Sequence, residues 1–404
     1  MMNIAILGYG TVGSGVAQVI TENQDIIAKK AGQPIRISHI LDLREFPGDP
    51  FADLVTHDYN DIISDPEVGI VVEVMGGRRP AYEFTRQALE AGKSVATSNK
   101  ELVAAHGAEL IRIAAEHNVN YLFEAAVGGG IPLIRTICHG LTADRFSRIS
   151  GILNGTTNYM LTKMSKEGAD YAEVLSQAQA NGYAERDPSA DVEGYDACRK
   201  IAIISSLITG KQVDYQKIST TGITKITTAD FAYAHAVGAD IKLLGTYAAE
   251  EEGTFAFVAP VMVGKDNPLY TVRDVYNAVL FRGNMLEDVM LYGQGAGKTP
   301  TASAVVSDVV EEAVSTSHIP LAWDSEEFEL TDIGQYRTRF LIRFEGSADV
   351  RRAELEETFG SFTAVTPEGI SSEFGIVTQE MTVAQMQEKC ARTEGCITSF
   401  YYTI

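Results

Sequence analysis

The chain has 404 residues, 45% apolar and 22% charged, ordinary values for a soluble globular protein, and at about 150 residues per domain it has room for two or three domains. Lys and Arg number 33 against 54 Asp and Glu, a formal charge of −21, which argues against a general nucleic-acid or anionic-membrane binder and does not exclude a small anionic ligand in a local pocket. Its 4 cysteines (Cys138, Cys198, Cys390 and Cys396) form neither a C-x-x-C pair nor a Cys/His cluster, the opening MMNIAILGYG lacks a secretory pattern, and no apolar run is long enough for a membrane span, so a soluble cytoplasmic protein is expected.

Taken in chain order, the first hundred or so residues alternate between two periods. Asn3–Leu7 reads as a short buried strand ending in glycines, and Val12–Ala28 carries the apolar spacing of a helix, stopped by Gly32, Gln33 and Pro34. Ile35–Leu41 and Ile70–Met75 read as strands. Pro80 sits at a plausible helix start before YEFTRQALEAG. Ser94–Thr97 is a further strand, Val103–His117 a helix and Asn120–Phe123 a strand. The alternation predicts an α/β domain over 1–130, a doubly wound parallel sheet of Rossmann type.

The middle region predicts an α+β domain over 131–325. It holds a strand at Arg145–Leu153, helices near Tyr159–Lys166, Tyr171–Ala180 and Asp196–Thr209, and strand-rich stretches at Thr254–Val263 and Ala278–Tyr292. Residues 293–316 return to a glycine turn and helix, and are expected to rejoin the first domain. From 329 to 404 the order is strand (Arg337–Phe344), helix (Arg351–Gly360), strands (Phe362–Val365, Phe374–Thr378), helix (Val383–Thr393) and strand (Ile397–Ile404). That βαββαβ order is the one of a small ferredoxin-like module.

Gly8-Tyr9-Gly10-Thr11-Val12-Gly13 follows a strand and opens a helix, the context in which G-x-G-x-x-G signals a dinucleotide site rather than an ordinary turn. Gly8 permits the tight turn, Gly10 lets the backbone approach a pyrophosphate, and Gly13 lets helix and strand pack. The pyrophosphate would rest on the helix N-terminus. Asp42, at the end of the second strand, suits a ribose 2′-OH and leans towards NAD; Arg44 could instead accept a 2′-phosphate, and a solvated strand-end residue is the competing reading. Met75-Gly76-Gly77 and Ser98-Asn99-Lys100 end neighbouring strands on the ligand side of the sheet. Lys100 is thus a candidate for proton transfer or for holding an oxyanion, against the plain alternative of a surface lysine at a helix start.

In GYAERDPSADVEGYDACRK, Asp196 and Lys200 are spaced i, i+4 and share a helix face. Glu185, Asp191 and Asp196 would suit a substrate ammonium group, and Lys200 among them would stay protonated, ready to serve an alkoxide. An exposed segment with a single ion pair is the alternative.

With GYGTVGSG, TSNKELV, FEAAVGGGIPLIRT, GILNGTTNYML, the acidic run and GQGAGKTPTASAVVSDV in order, residues 3–325 resemble homoserine dehydrogenase. The resemblance implies a Rossmann domain, a dimerisation region and a substrate domain, and the NAD(P)-dependent interconversion of L-homoserine and L-aspartate 4-semialdehyde on the route to threonine and methionine. It implies Lys200 as proton donor, Lys100 as the second lysine, and Gly182, Glu185 and Asp196 as substrate-binding, with Asp191 in support. Tyr9, Thr11, Val12, Met75, Ser98 and Gly297 resemble cofactor contacts. The Glu124 carboxylate and the carbonyls of Val127, Gly129 and Ile131 resemble a monovalent-cation (sodium) site. A homodimer or higher homo-oligomer is expected. Leu41 stands where NADP-preferring relatives often carry Arg. The last 76 or so residues resemble an ACT domain without its usual acidic-Pro-Gly turn (FEGSADVRR here), leaving an amino-acid effector such as threonine and a purely dimer-forming role both open. Another semialdehyde dehydrogenase on the same scaffold and a non-catalytic NAD(P) sensor are the competing functions.

Overall fold

Strand β1 (Met2–Leu7) is apolar and fully buried over its last four residues, Ile4–Leu7, on both faces, as expected where helices cover a parallel sheet. It lies between β2 (Ile35–Leu41) and β4 (Val68–Glu73), with β3 (Val55–Thr56), β5 (Ser94–Thr97) and β6 (Tyr121–Leu122) outside them, in the order β3-β2-β1-β4-β5-β6. All five pairings are parallel. This is the Rossmann order, in which ligands bind beyond the carboxyl ends of the strands, near the switch between β1 and β4. The structure is a computed structural model describing residues 1–403, and the chain divides into two units. The first comprises Met1–Ala143, Ala202–Gln216 and Gly293–Phe328.

The stretch expected as one helix is two. Helix α1 (Thr11–Glu22) ends at Asn23, which leaves helical geometry (φ −112°, ψ 24°), and α2 (Gln24–Ala31) starts again after it. The apolar period runs through the break, so spacing alone conceals it. The helix Lys298–Val314 belongs to this unit because its stripe of Ala302, Val305, Val306 and Val309 packs into a core with Ile4, Ile6, Val16 and Val72. At ~1.5–3 kcal/mol per buried aliphatic side chain, that stripe is what brings the late segment home.

The second unit comprises Asp144–Ile201, Lys217–Tyr292 and the chain from Glu329 on. Its spine is the antiparallel pair Ala239–Glu250 and Gly253–Gly264. The strand Phe146–Ile152 pairs with Ala239–Glu250, and Tyr276–Gly283 pairs with Phe146–Ile152 in turn. The strand-rich stretch expected at 278–292 is two strands, Tyr276–Gly283 and Glu287–Gln294.

Ala239–Glu250 and the preceding helix Thr228–Ala236 went unread in the sequence. Ten consecutive residues of that strand are buried, so it shows no alternation, and its Lys242 reads as polar surface. Burial is tolerated because Lys242 Nζ donates to the Val272 carbonyl at 2.8 Å and faces Asp240 at 3.5 Å.

In the C-terminal stretch, Arg337–Glu345, Ala348–Phe359, Thr363–Val365, Glu373–Val377, Val383–Arg392 and Cys396–Thr403 follow the βαββαβ order, with a short extra strand at Met381–Thr382. Its four main strands pair antiparallel, with the first and third in the centre. They continue the sheet of the second unit, because Cys396–Thr403 pairs parallel with Gly253–Gly264. Ile404, expected in that last strand, lies outside the described residues.

Candidate active site

The carboxyl ends of β1, β2 and β4 converge on a cavity of about 540 Å³ lined by Gly8, Gly10, Asp42, Arg44, Met75 and Gly76 among others. Gly8 takes φ +94°, a region closed to most side chains, and a Cβ on Gly13 would stand 2.0 Å from the Gly8 carbonyl oxygen. The loop therefore closes tightly on the start of α1. A Cβ at Gly10 would meet nothing within 4 Å, so the backbone there is open to a ligand. Gly10 caps α1 without a side-chain hydrogen bond, no acidic residue lies in the first turn, and Thr11 and Val12 are its first residues. An uncapped, acid-free helix start is suited to a pyrophosphate.

Asp42 follows β2. Its Oδ2 accepts the Tyr9 backbone N–H at 2.8 Å and Arg44 Nη2 at 2.9 Å, while Oδ1 accepts the Arg44 backbone N–H at 3.0 Å and Nε at 2.9 Å. The Arg44 guanidinium, aided by these N–H groups, holds the Asp42 carboxyl well below the usual carboxylate range. Tyr9 turns its ring inward to Asp49 (3.1 Å), and burial with that carboxylate pushes its hydroxyl up to about 12. Its part in the loop is thus the backbone.

On the neighbouring strands, Met75 and Gly76 follow β4, and Ser98 follows β5. Lys100 is the first residue of the helix Lys100–Glu116, whose N-cap is Asn99. Gly297, at φ +118°, is the N-cap of the Lys298–Val314 helix, in the same unit as the cavity.

In the second unit, Lys200 lies on the helix Tyr195–Thr209. That helix approaches the central strand closely at Gly245, where a Cβ would come within 3.2 Å of the Ile201 Cβ. Lys200 Nζ sits 2.7 Å from Asp196 Oδ2 and donates to the Leu153 carbonyl at 2.7 Å. Asn154 Nδ2 donates to the same Asp196 Oδ2 at 3.0 Å and to Asp191 Oδ1 at 2.7 Å. Lys200, Asp196 and Asn154 are buried.

The structure thus brings Lys200, Asp196 and Asp191 together through Asn154, a residue the sequence analysis did not single out. Asn154 also caps the helix Gly155–Glu167, its Oδ1 accepting the Thr157 N–H at 2.9 Å. The signal available in the sequence was an Asn one residue after a strand and before GTTN. Gly182 and Glu185 lie on an exposed loop, anchored where Thr156 Oγ1 donates to the Tyr183 carbonyl at 2.6 Å and Gln179 to the Glu185 carbonyl at 3.0 Å. The Glu185 carboxylate takes no part in the Lys200 network among the described residues.

The loop expected to hold a cation packs against Gly295: a Cβ on Gly129 would stand 2.4 Å from the Gly295 carbonyl oxygen. Glu124 is buried, and its carboxylate accepts the N–H groups of Ile134 (2.8 Å) and Arg135 (2.7 Å). Its own N–H donates to Asp308 (2.9 Å), which also binds Arg135 (2.9 Å). Burial raises the Glu124 carboxyl despite these donors. The Ile131 carbonyl accepts the Leu133 N–H at 2.8 Å. Among the described residues no cluster of three or more His, Cys, Asp or Glu side chains is arranged for a metal.

Comparison with known proteins decides the family. The homoserine dehydrogenase family pattern matches residues 132–310, and that of the homoserine dehydrogenase NAD-binding domain matches residues 8–124. A homoserine dehydrogenase of Pseudomonas aeruginosa is 42% identical over 311 residues, 77% of this chain and 72% of the relative. One from Bacillus subtilis is 37% identical over 385 residues, 93% of this chain and 86% of the relative. The crystal structure of a homoserine dehydrogenase from Thiobacillus denitrificans superposes with a TM-score of 0.92 at 31% identity, over 100% of this chain and 98% of the other.

The chain belongs to the homoserine dehydrogenase family.

It is accordingly an NAD(P)-dependent oxidoreductase, with the parallel sheet of its first unit as the NAD-binding domain. The family match covers both units, and so includes the glycine loop as well as the Asn154–Asp196–Lys200 network. Among the described residues no helix is long and apolar enough to cross a membrane.

Proposed function

We propose that this homoserine dehydrogenase interconverts L-homoserine and L-aspartate 4-semialdehyde with Lys200 as the proton donor, on the route to threonine and methionine. The observation that carries this reading is the buried Lys200 ammonium, held 2.7 Å from Asp196 Oδ2 and 2.7 Å from the Leu153 carbonyl. A bound nicotinamide cofactor supplies or accepts the hydride. Lys200 hands a proton to the oxygen on which negative charge gathers as the aldehyde is reduced, and takes it back in the reverse direction. Asp196 keeps the ammonium charged and aimed. Asp191, Glu185 and the Gly182 backbone hold the amino-acid end of the substrate, and Lys100 assists at the reacting oxygen.

NAD is the preferred cofactor in this reading. Asp42 sets a carboxylate at the end of β2, where it would repel a 2′-phosphate, and Arg44, the cation suited to such a phosphate, is already paired to Asp42. An archaeal homoserine dehydrogenase mutant similar to this chain, at 29% identity and a TM-score of 0.67, is in complex with NADPH, so NADP+ is the cofactor to run beside NAD+. Sodium at 124–131, a homodimer, a cytoplasmic setting and an ACT-like role for the C-terminal strands and helices complete the proposal.

An absorbance assay at the nicotinamide band with L-homoserine, run with NAD+ and NADP+ in parallel, tests the reading. Reduction of NAD+ at the higher kcat/KM is expected. Cofactor binding without turnover of L-homoserine would overturn it and favour a sensor.

A further inference from the structure

Glu73 is the last residue of β4 and has no exposed surface, although the core of a parallel sheet is normally apolar at such a place. Nothing in the hydride or proton transfer calls for a carboxyl there, and burying one costs several kcal/mol unless its oxygens are well satisfied. They are. Oε1 accepts the Met75 backbone N–H at 2.9 Å and lies 3.5 Å from Asn99 Nδ2; Oε2 accepts the Thr97 hydroxyl at 2.8 Å.

The bonds continue beyond the carboxyl. Thr97 Oγ1 accepts the Asn99 N–H at 2.9 Å, and Asn99 Nδ2 donates to the Gly77 carbonyl at 2.6 Å. Asn99 Oδ1 accepts the Leu102 N–H at 3.2 Å and so caps the helix that begins at Lys100. The Ser98 N–H meets the Glu73 carbonyl at 3.4 Å. The turn after β4 is also seated on the glycine loop, since a Cβ on Gly8 would stand 3.0 Å from the Met75 Cα.

We propose that Glu73 is a positioning residue for the nicotinamide half of the cofactor: its carboxyl ties the Met75–Gly77 turn to the Thr97–Asn99 turn, so that Met75, Gly76, Ser98 and Lys100 present a single fixed surface. The inference rests on the functional reading above for the meaning of that surface. It predicts a division of labour. The adenosine half answers to Gly10 and Asp42, and does not depend on Glu73. The nicotinamide half does.

The test uses the purified full chain, with affinities for ADP-ribose and for NADH measured beside turnover of L-homoserine. Glu73→Ala is expected to leave the ADP-ribose dissociation constant within about twofold of the parent, to weaken NADH about tenfold or more, and to lower kcat by at least as much, because the Thr97 hydroxyl and the Met75 N–H lose their acceptor. Glu73→Gln should recover most of both losses, because it keeps an acceptor for the Met75 N–H and an amide for Thr97 Oγ1. Equal weakening of ADP-ribose and NADH, unchanged NADH affinity and kcat, or a Gln variant no better than Ala would each overturn the proposal. If Glu73→Ala does not fold, Thr97→Val takes its place with the same expected selectivity for NADH over ADP-ribose, and its absence has the same consequence. A parent chain that binds both probes but leaves L-homoserine untouched defeats the functional reading alone; the two affinities still judge Glu73.

Discussion

Lys200 and Asp196 stand one helical turn apart with Nζ 2.7 Å from Oδ2, both side chains buried. An i, i+4 ion pair on a helix surface contributes only a few tenths of a kcal/mol, so this pair matters less for the helix than for what it holds ready. Lys200→Ala is expected to lower kcat by roughly 10²–10⁴-fold while NADH binds within about twofold of the parent. Lys200→Arg, which keeps the charge beside Asp196, should restore stability without restoring turnover, because a guanidinium does not release its proton. Near-normal turnover in either variant contradicts the assigned role.

Asn154 serves the site and the fold with different atoms, and the two duties can be separated. Asn154→Ala loses the cap of the Gly155–Glu167 helix, costing about 1 kcal/mol of stability, and also the amide shared by Asp191 and Asp196. Asn154→Ser retains a capping oxygen but no amide. Thermal unfolding should find the Ser variant near the parent. Steady-state kinetics should find both variants with a raised KM for L-homoserine. A Ser variant of parental KM would assign Asn154 to the helix alone.

The Asp42–Arg44 pair predicts a shift in cofactor choice. Asp42→Ala removes the carboxylate and frees the guanidinium, so the ratio of kcat/KM for NADP+ over NAD+ should rise by about tenfold or more, a change of about 1.4 kcal/mol. Arg44→Ala should not raise it. A ratio unmoved by Asp42→Ala would show that cofactor choice is made elsewhere.

Glu312, on the Lys298–Val314 helix, is 5% exposed, and neither carboxyl oxygen has a hydrogen-bond partner among the described residues. Burial first, then the charges of Asp308 and Glu311, raise its carboxyl well above the usual carboxylate range. The folded state therefore holds this proton more tightly than the unfolded chain does. Its contribution to stability is greatest below the unfolded value of about 4.3 and declines as pH rises through the folded one. Glu312→Met should flatten that decline and raise stability at pH 8 by about 1–3 kcal/mol. Denaturant midpoints for the two proteins across pH 5–8 decide it; parallel curves reject the assignment.

What the sequence disclosed and what it hid divide along physical lines. The glycine loop and the strand before it are local signals: Gly8 needs a positive φ and Gly13 a close approach, and both needs are written in residue type. Asp196 and Lys200 were legible for the same reason, four residues apart on one helix. Asn154 was not, because its partners are 37 and 42 residues away. Glu73 was hidden inside IVVEVM, where it passed for one more strand position, since its meaning depends on Thr97 and Asn99 in the next strand and turn. The Ala239–Glu250 strand escaped because ten buried residues in a row erase the alternation by which strands are recognised.

The parallel pairing of Val261, Met262 and Val263 with Tyr401, Tyr402 and Thr403 turns the C-terminal strands into a wall of the larger sheet rather than an appendage. Phe255 and Phe257 pack there in one cluster with Phe340, Ile342 and Phe374. A chain cut before Arg337 would be left with a raw aromatic edge and a tendency to self-associate. The same seam is a mechanical linkage. A ligand that twisted the 337–377 strands would have to shear those three residue pairs or carry the torque onward into Ala239–Glu250, the strand on which the lysine-bearing helix lies.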